Sequence, residues 1–393
     1  MVSDANRGWF SVLKNPFRRW KRSYRKRQKV VSLSSGEGRG NALLSYINEG
    51  IDLPDDDPYF RGHTNKWECR QIAQLLVEAG YDTDIIDFRN EWFTPSKPYD
   101  IAIDIHHNLH RLAPKLPVDC KKILHATGAY VPSLNRQEAD RLAELHRRHG
   151  IACRPRRSAD GASFQASLDM CDFVSLIGNK VTLGTYPSAV RHKVTCMNAT
   201  ASTVFERELH SWPAHREFMW FGGGGAVLKG LDLVLETFEA RSDLRLNVVG
   251  GPGGERDFVR GYRRQLYETD NIVYHGFLDP SSSEFRDIAQ RCVAAIKPSA
   301  SEGMSTAVTT TMAVGLIPIV SRQTGIDLPT GCGIYLDALT SQCVEKAVDS
   351  VLKLTGQETS RQMGMIKEYA QEAYSRDNFR ESYRQFLANV VGI

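Results

Sequence analysis

The sequence predicts an α/β protein built from two Rossmann-like domains in tandem, facing each other across a cleft. Three observations carry that expectation. Short β-rich runs alternate with amphipathic helical segments, the pattern of βαβ units and a parallel sheet. The alternation lapses around residues 200–216 and then restarts. And 393 residues is enough chain for about two domains, at roughly 100–200 residues each.

In chain order, strand-like runs appear at VVSLSS (30–35), ALLSYI (42–47), DTDIIDF (82–88), DIAIDI (100–105), KKILHA (121–126), FVSLIG (173–178) and KVTCMN (193–198). A helix is expected from Asn65, with Glu68 completing a capping-box-like start and Gly80 ending it. A second covers Arg136 to His149 and stops at Gly150. After the lapse, FMWFG (218–222) restarts the pattern, Leu231, Val234, Leu235 and Phe238 mark a helix, and LRLNVVGG, NIVYHGF, CVAAIKP, LIPIVS and GIYL supply five more strands. The amphipathic segment Asp377 to Val391 follows the second sheet and has the pattern to cross back to the first domain. The expected division is a leader at 1–29, domains at 30–205 and 206–375, and a terminal helix at 376–393.

Composition narrows the class. With 41% apolar and 24% charged residues the chain is neither disordered nor low-complexity. It holds no run of about 20 apolar residues to span a bilayer and no apolar core of an export signal, so a cytoplasmic protein is expected. Eight cysteines, at 69, 120, 153, 171, 196, 292, 332 and 343, are scattered without a C-x2-C pair. That spacing suits buried thiols in a reducing compartment better than a disulfide framework or zinc site.

Charge is unevenly placed. Residues 1–30 hold ten Lys/Arg and one acid, Asp4, so the remainder is net acidic although the whole chain carries +4. Only the leader could meet a polyanion. Asn15-Pro16 reads as a helix start; Phe17, Trp20 and Tyr24 then share one face, with Arg18, Arg19 and Lys21 among the cations around it. Such a helix, within residues 7–29, would lie on an anionic membrane surface at the cytoplasmic face. A solvated basic tail, an arm touching RNA nonspecifically, and a transit peptide are the other readings.

Two segments could carry chemistry. In FGGGGAVLKG (221–230), four glycines after a strand let backbone pass close to a ligand at Gly223 and Gly224, and Lys229 follows at the head of a helix. Neither the Walker A spacing nor G-x-G-x-x-G is present. In KPSASEGMSTAVTTTMAVG (297–315), a strand runs into a loop with Ser299, Glu302 and Gly303, and a helix opens at Met304, Ser305 and Thr306. A helix start presents unpaired amides suited to a diphosphate, although a carboxylate such as Glu302 could simply cap it. In the first half, strand ends carry His106, His107, His125, Thr127 and Gly128 as acceptor-side candidates, each histidine also readable as structural. Asp55 to Asp57 reads as a solvated loop. Arg154, Arg156 and Arg157 form a small basic cluster able to meet an anionic acceptor or lipid headgroups.

Taken together, FGGGGAVLKGLDLVLETF, NIVYHGF, PSASEGMS, MAVG and Pro318 give the second half a resemblance to the C-terminal domain of GT-B glycosyltransferases, in particular the retaining family four group (group 1 glycosyltransferases). The resemblance covers about residues 215–340. It implies transfer of a sugar from a nucleotide-sugar donor to an acceptor hydroxyl with retention, without metal or cofactor, the nucleotide-sugar being a substrate. On that resemblance Lys229 matches the diphosphate lysine and Glu302 the first glutamate of E-x7-E, which contacts the donor sugar. Met304, Ser305 and Thr306 would offer amides to the donor. Two positions depart from the pattern: Thr310 stands where the second, ribose-gripping glutamate would be, and Gly224 where a basic residue precedes the lysine by five. Surface polysaccharide or glycolipid assembly would suit the leader. A noncatalytic GT-B partner protein and a nucleotide-sugar epimerase are the alternatives.

Overall fold

The computed structural model describes residues 27–61, 63–105, 108–202, 205 and 216–391; most of the leader, with Phe17, Arg18, Arg19, Lys21, Trp20 and Tyr24, lies outside them. Two doubly wound sheets form the body. The first contains β1 (Val31–Leu33), β2 (Gly40–Tyr46), β3 (Tyr81–Asp87), β4 (Ile101–Asp104), β5 (Lys121–Ala126), β6 (Phe173–Ile177) and β7 (Val194–Met197). Its order is β1-β3-β2-β4-β5-β6-β7, parallel throughout except for the antiparallel edge strand β1. The second contains β8 (Glu217–Gly222), β9 (Arg245–Gly250), β10 (Ile272–Gly276), β11 (Cys292–Lys297), β12 (Ile317–Val320) and β13 (Ile334–Tyr335), ordered β10-β9-β8-β11-β12-β13 and wholly parallel. These strands read as short apolar runs because helices cover both faces of each sheet.

Two helix starts differ from the sequence expectation. The first helix is Thr64–Glu78, capped by His63, whose Nδ1 accepts the Asn65 amide at 3.3 Å. Glu68 makes no capping box; it points into the core, where its carboxylate accepts the amide (3.0 Å) and hydroxyl (2.7 Å) of Thr200. The second helix is Val131–His149, starting earlier because Pro132 suits a first turn, and it ends at Gly150 with φ 67°.

Arg376–Val391 packs on the first domain. Phe379, Tyr383, Phe386, Leu387 and Val390 recur at helical spacing and are all buried. Phe379 meets Trp67 at 6.1 Å between ring centroids, and Arg380 donates to Gln71 at 2.6 Å. Burying such a stripe contributes about 1.5–3 kcal/mol per large apolar side chain. All eight cysteines are free, and five are buried.

The two domains are clamped together along one side of the cleft. Arg141 and Arg148, on Val131–His149, reach Asp232 on the helix Leu231–Glu239 at 2.6 and 2.8 Å. Asp232 is fully buried, and burial raises its pKa against the pull of Arg141. Arg148 also pairs with Glu236. On another side Thr182 donates to the Gly303 carbonyl at 2.7 Å, and Asn179 to Asp327 at 2.8 Å.

Candidate active site

In the second sheet the chain leaves β8 for β9 on one side and returns to β11 on the other. The crevice beyond the C-terminal ends of β8 and β11 is therefore the topological switch point, where open α/β sheets take ligands. Both candidate segments start there: the glycine loop follows β8, and the Ser299–Ser305 loop follows β11.

Lys229 ends the glycine loop. Its amide donates to the Gly225 carbonyl at 2.9 Å, and Gly230, at φ 70°, turns the chain into the helix Leu231–Glu239. The side chain is half-buried. Burial lowers its pKa from the usual lysine value; Glu302 and Glu255 oppose the shift, and Arg157 adds to it. Glu302 thus lies within electrostatic reach of Lys229, and it accepts a hydrogen bond from the Ser299 hydroxyl at 3.3 Å. Glu302 does not cap the helix that follows: the N-cap of Thr306–Ala313 is Ser305, and no side chain bonds into its first turn.

The glycine loop has its own resident anion. The Glu255 carboxylate, 7% exposed, accepts the amides of Gly225 (2.7 Å) and Ala226 (3.2 Å). Gly223 and Gly224 remain exposed, with no atom within 4 Å of a Cβ at Gly223 and only Glu255 Oε1, at 3.5 Å, near one at Gly224.

Sequence reasoning missed Lys297. It closes the apolar strand CVAAIK, 2% exposed, and its ammonium donates to the Phe221 carbonyl at 2.8 Å and lies 4.1 Å from the centre of the Trp220 ring. A Cβ on Gly222 would stand 2.0 Å from that nitrogen, so glycine at 222 makes room for the amine. Burial drives the Lys297 pKa far down, and the neighbouring Lys229 charge adds to this. The available signal was a lone cation ending a central strand that feeds a loop. His63 was also missed, because the helix was expected to start at Asn65. Its pKa is lowered by burial, then by Lys66, Lys229 and Arg157.

The structure places several candidate residues, and Thr310 and His125 turn out to be core residues. Thr310 is fully buried, and its hydroxyl donates to the Thr306 carbonyl (2.7 Å) and accepts the Ser202 amide (3.0 Å), so it is engaged inside the fold. The Ser305 amide is spent on the Thr324 carbonyl at 2.9 Å. Met304 is buried, its sulfur accepting the Ala199 amide at 3.3 Å. His125 is a core residue: Nδ1 lies 2.8 Å from Ser175 Oγ, its ring sits between Tyr46 and Tyr383, and burial lowers its pKa to about 3. His106 and His107 lie outside the described residues. Thr127 and Gly128 meet the Ser299–Ser305 loop: a Cβ on Gly303 would lie 2.7 Å from the Thr127 and Ile177 carbonyl oxygens and 2.8 Å from Gly128 Cα. Asp55 pairs with Arg70. Thr306 is half-buried at the start of its helix, and Ser299 is fully buried.

Two doubly wound domains facing a crevice, with Lys229, Glu302 and the glycine loop at the switch point, fit the GT-B architecture. Residues 216–354 match the family model described as "Glycosyl transferases group 1". No curated protein sequence matches the chain. Among solved structures, the chain is similar to the sucrose-phosphate synthase of Thermosynechococcus elongatus, at 13% identity and TM-score 0.65 over 90% of this chain and 100% of that one. It is similar to Anabaena HepE in complex with UDP and glucose, at 10% identity and TM-score 0.54 over 89% and 99%. It is also similar to the N-terminal domain of Candida albicans trehalose-6-phosphate phosphatase, at 11% identity and TM-score 0.54 over 90% and 96%. At these identities the likeness is one of fold.

Proposed function

We propose that this protein transfers a sugar from a nucleotide-sugar donor to an acceptor hydroxyl, with retention at the anomeric carbon. The observation that carries the reading is that the loops bearing Lys229 and Glu302 both start at the switch-point crevice, with Glu302 within electrostatic reach of the lysine. As the donor's glycosidic bond breaks, negative charge gathers on the departing diphosphate. Lys229, held half-buried, stabilises that charge more than a lysine in water would. Glu302, steadied by Ser299, holds the sugar hydroxyls so that the anomeric carbon faces the first domain. There Thr127 and Gly128 border the acceptor side, and the acceptor oxygen attacks as the diphosphate leaves. An acceptor carried on a glycan or lipid is the class that a membrane-seeking leader, residues 7–29, would bring to this cleft, with the enzyme peripheral on the cytoplasmic face.

The test is incubation of the purified chain with UDP-, GDP- and ADP-sugars, following nucleoside diphosphate release and sugar transfer, repeated on Lys229→Ala. Release that depends on acceptor and on Lys229 supports the reading. Isomerisation of a donor without acceptor would indicate an epimerase, and no binding of any nucleoside diphosphate would indicate a noncatalytic partner.

A further inference from the structure

The glycine loop approaches the crevice with bare backbone, so Lys229 is the cation it contributes directly. A diphosphate with two negative phosphoryl groups calls for more than one, and charge-assisted hydrogen bonds are the strong ones. The first domain holds a guanidinium in place to provide it.

Residues 154–158 leave the first domain as a short basic loop. Glu138, on the helix Val131–His149 and 2% exposed, shapes it: its carboxylate accepts the amides of Arg156 (2.8 Å), Arg157 (2.9 and 3.1 Å) and Ser158 (2.7 Å), and the Ser158 hydroxyl at 2.7 Å. A buried carboxylate wrapped by three successive amides fixes the backbone of the turn. Asp257, on the second domain's helix Arg256–Gly261, anchors the same loop across the cleft by accepting the Arg154 amide at 2.8 Å and pairing with Arg156 at 2.6 Å. Although burial acts to raise it, the Arg154 amide and the Arg156 guanidinium hold the Asp257 carboxyl down at about 2.

Arg156 is thereby consumed, and Arg157 is not. Its stem lies on the glycine loop: a Cβ at Gly225, where φ is 90°, would come within 2.6 Å of Arg157 Cγ and 3.1 Å of Cδ. Its side chain is exposed, and among the described residues it has no carboxylate partner. Its charge is felt at Lys229, at Lys297 and at His63. Glu255, the nearby anion, is already occupied by the Gly225 and Ala226 amides.

We propose that Arg157 supplies, from the first domain, a second cation to the donor diphosphate, so that the diphosphate bridges Arg157 and Lys229. This rests on the glycosyl-transfer reading above. It goes further in making donor binding depend on a residue outside the nucleotide-binding domain.

The experiment is calorimetric titration of the full chain with UDP, GDP and ADP, and with the corresponding nucleosides, for wild type, Arg157→Ala, Arg157→Lys, Arg154→Ala and Lys229→Ala. Thermal melts of each variant confirm that it folds. For whichever diphosphate binds wild type, Arg157→Ala is expected to weaken binding by about tenfold or more, while nucleoside affinity and Arg154→Ala stay within about twofold of wild type. Arg157→Lys should restore part of the loss. Wild-type diphosphate affinity in Arg157→Ala, with Lys229→Ala impaired, would overturn this inference and leave the glycosyl-transfer reading standing. An equal loss in Arg154→Ala would also overturn it, reducing the effect to general surface charge. If no diphosphate binds wild type, the reading and the inference fall together.

Discussion

The ammonium of Lys297 donates to the Phe221 carbonyl at 2.8 Å beneath the glycine loop, which puts a buried amine under the crevice where a diphosphate would lie. Two lysines, 229 and 297, therefore share one low-dielectric corner, and the Lys229 charge adds to the burial that holds the Lys297 pKa down.

That corner predicts a proton linkage. Burial lowers both amines in the folded chain relative to an unfolded value near about 10.4. Below the lowered folded values both states are protonated, and the full cost of burying charge opposes folding. As pH rises through the folded values toward the unfolded one, that cost is relieved. A bound diphosphate favours the charged amines and raises their pKa, so binding should take up protons and affinity should fall as pH rises. Calorimetry in buffers of different ionisation enthalpy measures the uptake, and Lys297→Met should reduce it. Absence of any uptake between about pH 7 and 10 would contradict the arrangement.

Glu302→Gln is expected to lower turnover by about 10²-fold while changing diphosphate affinity much less. It also removes the carboxylate that raises the Lys229 pKa. The alkaline limb of the pH–rate profile should then move to lower pH. A limb that stays in place would mean the two side chains do not act together.

Gly303→Ala should part the domains. The added Cβ would meet carbonyl oxygens of Thr127 and Ile177 at 2.7 Å, backbone atoms unable to swing aside. Turnover should drop by about 10²-fold, with an enlarged scattering radius and nearly unchanged circular dichroism. An unchanged radius with full activity would show that this contact does not set closure.

Arg141→Ala should destabilise the chain by about 3 kcal/mol, because it leaves the fully buried Asp232 with one of its two arginines gone. Urea unfolding measures the loss. Adding Asp232→Asn in the same chain should recover part of it.

Thr310→Val should cost about 1–3 kcal/mol, since both hydrogen bonds of a buried hydroxyl are lost and the Ser202 amide is left unpaired. Diphosphate affinity should stay within about twofold of wild type. A larger change would put Thr310 back at the ribose.

The strands were legible because sheets covered on both faces need short, continuous apolar runs, and runs such as FMWF and CVAAI have little other use. Helix starts were less legible: the helices beginning at Thr64 and Val131 have His63 and Tyr130 at their N-caps, neither a usual capping residue. In the site, Lys229 and Glu302 stood out from local motif context. Thr310 and His125 also stood in suggestive places, yet burial turned both inward.

The alternation of strands and helices, the glycine loop and the loop at the head of Thr306–Ala313 are local patterns, and so the amino-acid order alone determined two α/β domains and the segments lining their crevice. Which cations meet there was decided only in three dimensions. Lys297 reaches Phe221 across a gap of 76 positions, and Arg157 comes to Gly225 from the other domain. Burial and cross-domain proximity are properties of the whole packed chain, and no stretch of neighbouring residues encodes them.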